Sequence, residues 1–191
     1  MEILIITSLC YLIGSLPFGF ILTKIFLKKD IRNIGSGNIG ATNALRTGNK
    51  LLGFGTLFLD ITKAIVPVIF IKFNYSEYIL IASLSIFIGH VFPIWLNFKG
   101  GKGVATYVGI LFSINIIYGF VFIVTWLIIF IISKYSSLSS LISTLSVFIF
   151  SIFVNTNNLI FFFIMFILIF YTHRENIKRL KNKEETKTKI Y

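Results

Sequence analysis

The chain has 191 residues, of which 56% are hydrophobic and 13% charged, and its mean hydropathy is +0.90. Those values exclude an ordinary soluble globular domain. A net charge of +11 would suggest a nucleic-acid partner in a soluble protein, but here the basic residues flank apolar runs. Membrane orientation and anionic ligands explain them better, and no nucleic-acid partner is expected.

The first apolar run begins with Glu2 instead of a basic segment and has no small-residue cleavage pattern, so it is expected to be a retained span over roughly Ile3 to Thr23. Cys10, the sole cysteine, lies in it, which rules out an intrachain disulfide or a cysteine metal cluster. Gly14, Pro17 and Gly19 should bend this span or let a neighbour pack closely. Lys24, Lys28, Lys29, Arg32, Arg46 and Lys50 follow, opposed only by Asp30. The positive-inside rule makes that loop cytoplasmic and the N-terminus external.

A second span is expected from about Leu51 to Ile71. It carries Asp60 and Lys63, one helical turn apart, and ionisable residues inside a membrane are usually paired or functional. A structural Asp60–Lys63 pair is the favoured reading; a ligand-facing Lys63 is the alternative. A third span from Tyr78 to about Leu96 holds His90, for which a structural hydrogen bond that shapes the site is expected. Val104 to Ile132 reads either as one long span or as two short ones broken near Ser113-Ile114-Asn115 and Tyr118-Gly119. Only two spans leave Lys134 and the basic C-terminus inside. Span six covers about Leu138 to Val154, a polar turn occupies Asn155 to Asn158, and span seven covers Leu159 to Tyr171.

The expectation is therefore an all-α integral membrane protein of about seven transmembrane helices, with the N-terminus outside and the C-terminus cytoplasmic. Residues 1–180 form one transmembrane domain and 181–191 a charged, disordered tail. The last helix should continue past the membrane surface, with His173, Asn176, Ile177 and Leu180 on one face and a Glu175–Arg179 pair on another.

Three polar islands fall on the same side of this topology. The first, Gly35 to Arg46, reads either as an anion-binding nest or as a flexible polar turn. It offers Ser36, Gly37, Asn38, Thr42, Asn43 and the Arg46 guanidinium. The second runs from Asn97 to Thr106 and offers Lys99, Gly100, Gly101, Lys102, Gly103 and Thr106. The third offers His173 and Asn176, with a catalytic or substrate-orienting role favoured for His173 over that of a plain interfacial residue. The inventory suits phosphate groups and holds no set of metal ligands. The Gly-Gly-Lys-Gly run lacks the spacing of a P-loop. An anion transporter is the chief rival, but it would place polar residues near the bilayer midplane on both approaches. A purely structural membrane subunit is the third option, against which the donor-rich loops argue.

Gly35-Ser36-Gly37-Asn38-Ile39-Gly40-Ala41-Thr42-Asn43, Gly89-His90-Val91-Phe92-Pro93 with Phe98 to Thr106, and His173 to Leu180 together resemble the three motifs of the bacterial acyl-phosphate-dependent glycerol-3-phosphate acyltransferases. Two positions depart from that pattern: Ile39 stands where the family commonly has proline, and Thr172 where a basic residue is usual. The resemblance implies transfer of a fatty acyl group from acyl phosphate to the sn-1 hydroxyl of glycerol 3-phosphate. The products are 1-acyl-glycerol 3-phosphate (lysophosphatidic acid) and phosphate, in the first step of phospholipid synthesis. It implies no metal and no cofactor, a place in the bacterial cytoplasmic membrane among membrane lipid, and a functional link to the enzyme that makes the acyl phosphate. It further implies that Gly100 to Gly103 bind glycerol 3-phosphate, that Ser36, Arg46, His173 and Asn176 are essential for activity, and that Glu175 is structural. Since an acyl phosphate is already activated, no acyl-enzyme is demanded. His173 or a substrate phosphate oxygen is left as the base, and the fatty chain is expected between helices.

Overall fold

A computed structural model describes residues 1–154 and 157–188. Among these residues every regular element is helical: α1 (Glu2–Gly14), α2 (Phe18–Leu27), α3 (Ala41–Leu45), α4 (Lys50–Asn74), α5 (Ile79–Val91), α6 (Val104–Ile114), α7 (Ile116–Ser133), α8 (Ser136–Phe153), α9 (Leu159–Thr172) and α10 (Arg174–Lys181). Five stretches are long and apolar enough to cross a membrane, or six if the bent pair α9 and α10 counts as one; α6 is a shorter apolar helix. Exposed side chains such as Leu4, Phe58, Ile131 and Ile160 cover these helices, which is the surface that a lipid solvent demands. Asn155 and Thr156 of the expected polar turn, and residues 189–191 of the tail, lie outside the described residues.

The contacts divide the chain into two compact units, Met1–Ile114 and Asn115–Tyr191. In the first, the expected opening span is broken. Gly14 ends α1, Pro17 stands before α2, and α2 stops at Lys28 in the left-handed region (φ 55°). Gly14 of α1 and Gly89 of α5 lie against each other's helix: a Cβ at Gly14 would strike the Ile86 carbonyl, and one at Gly89 the Tyr11 carbonyl. Small residues at a helix crossing permit this approach where no hydrophobic effect drives it. Two side-chain bonds fasten the same seam, from Tyr11 Oη to the Phe92 carbonyl (2.7 Å) and from Trp95 Nε1 to Ser15 Oγ (2.8 Å). Lys72 caps the last turn of α6 by donating to the Ser113 and Ile114 carbonyls at 2.9 and 3.0 Å. An apolar cavity of about 700 Å³ opens beside α1, α2 and α4, lined by Ile6, Leu9, Cys10, Phe18 and Val66 among others, with Lys63 at its edge.

In the second unit the ambiguous stretch resolves as a break. Asn115 takes an extended conformation, and its Oδ1 accepts from the Ile117 N–H at 2.9 Å, capping α7. Helix α8 is unusually rich in serine for a membrane helix. Ser139, Ser140, Ser143 and Thr144 each return a hydroxyl to the carbonyl four residues earlier, so they satisfy themselves within the helix. Aromatic rings fill the space between α7, α8 and α9, with Tyr118 tilted against Phe162 (4.5 Å between centroids) and edge-on to Phe150 (5.7 Å). The last helix does not run on straight: α9 and α10 meet at 61° around His173.

Candidate active site

The first polar island is shaped from within by Asn43, which is only 2% exposed. Its Nδ2 donates to the Ile31, Ile34 and Asn38 carbonyls at 3.2, 2.9 and 2.8 Å, and its Oδ1 accepts the Ser36 N–H at 2.9 Å. The Gly37 N–H bonds the Ile34 carbonyl, and the Gly40 N–H bonds Asn38 Oδ1. Two of the backbone donors expected to form an anion nest, those of Ser36 and Gly37, are thus committed to the loop itself, and Asn43 serves as its internal frame. The Asn43 side chain can replace a whole strand partner because one amide supplies both donor and acceptor. Ser36 is left exposed on this frame; Thr42 and Arg46 are half-buried on and just beyond α3.

Asp30 caps the turn leading into the island, accepting from the Arg32 N–H at 2.9 Å and pairing with Arg32 Nη2 at 2.6 Å. The Arg32 hydrogen bonds hold the Asp30 carboxyl below the usual carboxylate range. Beneath the loop, Ile31, Ile39, Ala44 and Leu96 form a buried cluster with Phe20 packed against it. Ile39 therefore fills core at the position where the motif usually has proline. Leu96 comes from the segment that precedes the second island, so this cluster fastens the first two islands to each other.

The second island wraps His90. The Gly101 N–H bonds the His90 carbonyl and the Gly100 N–H bonds the Val91 carbonyl, each at 3.1 Å. A Cβ on Gly101 would run into the His90 imidazole. Gly103 holds a φ of +83° with the Phe87 ring where a Cβ would stand, and only glycine takes that conformation without cost. The loop glycines are thus required by His90 and Phe87. Lys102 is half-buried, Lys99 exposed, and Thr106 fully buried, its Oγ1 without a hydrogen-bond partner among the described residues.

Behind His90 lies a buried polar group. Lys63 Nζ stands 2.7 Å from Asp60 Oδ1, 2.9 Å from His90 Nδ1 and 2.7 Å from the Leu16 carbonyl. An ammonium has only protons to give, so Nδ1 accepts and the ring proton of the neutral imidazole resides on Nε2, the atom facing Gly101. Charge on α4 thus fixes a tautomer on α5, and that ring supports the loop. Gly101→Ala is accordingly expected to cost about 1–3 kcal/mol of stability by overpacking. Thermal unfolding of the purified protein checks this.

In the second unit His173 is 2% exposed and Asn176 4%. His173 Nδ1 lies 2.9 Å from the Ile169 carbonyl, which can only accept. Its neutral ring therefore carries the lone pair on Nε2, the arrangement a general base needs. Asn176 Nδ2 donates to Glu185 Oε1 at 2.7 Å, a partner that sequence reasoning missed. Ser137 Oγ donates to the same oxygen at 2.7 Å and Arg179 Nε to Oε2 at 2.7 Å. Burial works against the Glu185 charge, but the hydrogen bonds from Ser137, Arg179 and Asn176 outweigh it and hold the carboxyl below its ordinary value. One expectation is corrected here: Arg179 pairs with Glu185, since a buried carboxylate needs a cation more than the exposed Glu175 does. Farther along the tail, the Thr188 N–H bonds the Lys134 carbonyl at 2.9 Å.

The family profile described as glycerol-3-phosphate acyltransferase matches residues 4–183. The chain belongs to the glycerol-3-phosphate acyltransferase family. It is 74% identical over 191 residues to the glycerol-3-phosphate acyltransferase of Pelagibacter ubique, covering all of both chains. With the enzyme of Rhodopseudomonas palustris it shares 48% over 179 residues, 93% of this chain and 91% of that one. Among solved structures it is similar to PlsY (YgiH), an integral membrane glycerol 3-phosphate acyltransferase. The glycerol 3-phosphate form gives a TM-score of 0.93 at 35% identity over 98% of this chain and 96% of that one. The lysophosphatidic acid form gives 0.89 at 36% over 98% and 95%. Membership makes this chain a multi-pass membrane acyltransferase that uses glycerol 3-phosphate.

Proposed function

We propose that this acyltransferase takes its acyl group from a fatty acyl phosphate and delivers it to the sn-1 hydroxyl of glycerol 3-phosphate, releasing lysophosphatidic acid and phosphate. The observation that carries the reading is the donor set: Arg46, Lys99 and Lys102 with Ser36 on two loops fastened together by the Ile39–Leu96 cluster. Such a set suits two phosphorylated molecules. With the leaving group already activated, positioning and charge stabilisation can supply the rate.

In this reading Lys102 and the Gly100–Gly103 loop hold glycerol 3-phosphate, with Thr106 at their edge. Arg46 neutralises the departing phosphate, and Ser36 hydrogen-bonds the reacting group. His173 Nε2 takes the hydroxyl proton, and Asn176 orients the acceptor. The protein spans the bacterial cytoplasmic membrane with seven helices, counting α6, and its N-terminus is external. Its site faces the cytoplasm, where the enzyme that makes the acyl phosphate supplies the donor. The fatty chain occupies the cavity beside Ile6, Leu9 and Cys10. Cys10→Phe is expected to shift preference toward shorter acyl phosphates, read from kcat/KM across a chain-length series; an unchanged profile would place the chain elsewhere. The donor is tested by offering palmitoyl phosphate and palmitoyl-CoA separately to purified protein with chelator present. Turnover with the thioester alone would refute the acyl-phosphate reading.

A further inference from the structure

The family profile ends at residue 183, and the side chain that touches Asn176 comes just after it. The chain reverses there by a definite device. Helix α10 closes with the Lys183 N–H on the Leu180 carbonyl (3.1 Å) and the Glu184 N–H on the Arg179 carbonyl (2.8 Å). Lys183 takes the left-handed conformation between them, φ 59°. This is a Schellman turn, with lysine where glycine is usual. It throws residue 185 back along α10, so that the Glu185 carboxylate, 7% exposed, meets Asn176 and Arg179 from the same helix and Ser137 from α8. One carboxylate with three donors is a built site.

We propose that Glu185 is a positioning residue for acyl transfer: it fixes the Asn176 amide, and with it the face of α10 that follows His173. An amide free to rotate presents donor and acceptor interchangeably. With Nδ2 given to a charged acceptor, the plane of the amide is set and Oδ1 has one direction. Charged partners of this kind orient the groups that touch substrate, and their loss lowers activity without removing a contact to substrate. The inference rests on Asn176 belonging to the acyl-transfer site.

The test compares Glu185→Ala, Glu185→Gln, Asn176→Ala and Lys183→Gly in the full chain, purified in detergent, with palmitoyl phosphate and glycerol 3-phosphate. Glu185→Ala is expected to lower kcat about tenfold or more, the worth of one charge-assisted hydrogen bond, while the KM for glycerol 3-phosphate changes little. Glu185→Gln, whose carbonyl still accepts from Asn176, restores most of the rate. Lys183→Gly, which keeps the turn, leaves turnover as it was. If Asn176→Ala is inactive and Glu185→Ala turns over normally, Glu185 has no positioning role. The role is equally excluded if Glu185→Ala lowers only thermal stability and the folded fraction keeps its kcat. If Asn176→Ala itself is fully active, the reading of the third segment fails, and Glu185 fails with it.

Discussion

Arg46→Ala is expected to lower kcat by about a hundredfold or more, the effect of removing a preorganised cation from a site where transition-state charge develops. The side chain leaves the end of α3, where the Arg46 N–H closes the helix on the Asn43 carbonyl at 3.0 Å. Its Cδ stands beside Gly35, so a side chain there would displace it. The stem of the side chain thus lies against the loop of the first island. Arg46→Lys should recover only part of the rate, because an ammonium cannot match a planar fork on phosphate. Phosphate release under saturating substrates measures both, and an Arg46→Ala enzyme with unchanged kcat would remove Arg46 from the reaction.

The second large effect is on stability. Asp60→Ala leaves Lys63 buried in α4 beside His90 with its countercharge gone, and breaking a buried pair in this way costs about 3–5 kcal/mol. The pair is nearly inaccessible, with side-chain exposures of 2% for each partner. Replacing both ends by apolar residues of similar size, as in Asp60→Leu with Lys63→Met, should recover much of the stability. It should not recover the KM for glycerol 3-phosphate, because His90 then loses the partner that fixes its ring against Gly101. Thermal unfolding in detergent and substrate kinetics separate the two outcomes. If Asp60→Ala melts like the parent, the buried network contributes nothing to the fold.

Much of the fold is legible in the chain because each signal is local. Apolar runs of about twenty residues announce helices in lipid whatever surrounds them. The break at Asn115 and the kink near Pro17 follow from residues that cap or cannot continue a helix. The spacing of Asp60 and Lys63 announces a pair on one turn. What is not legible depends on distant contacts. The glycines of the second island look like a cradle for a ligand, but that Gly101 and Gly103 also make room for His90 and Phe87 shows only in the fold, because no spacing rule connects them. That Asn43 also frames its own loop is hidden in the same way. Glu185 sits in a Lys/Glu/Thr-rich tail that composition marks as disordered, and only the turn at Lys183 gives it a partner.

The central claim is that these polar segments serve one acyl transfer between two phosphorylated molecules. The most direct test follows palmitoyl phosphate and glycerol 3-phosphate by ³¹P NMR with the purified protein and chelator present, beside Arg46→Ala and His173→Ala. Lysophosphatidic acid and inorganic phosphate should appear in equal amounts with the parent protein and be nearly absent with either variant. Equal turnover by all three, or loss of acyl phosphate without lysophosphatidic acid, would contradict the account.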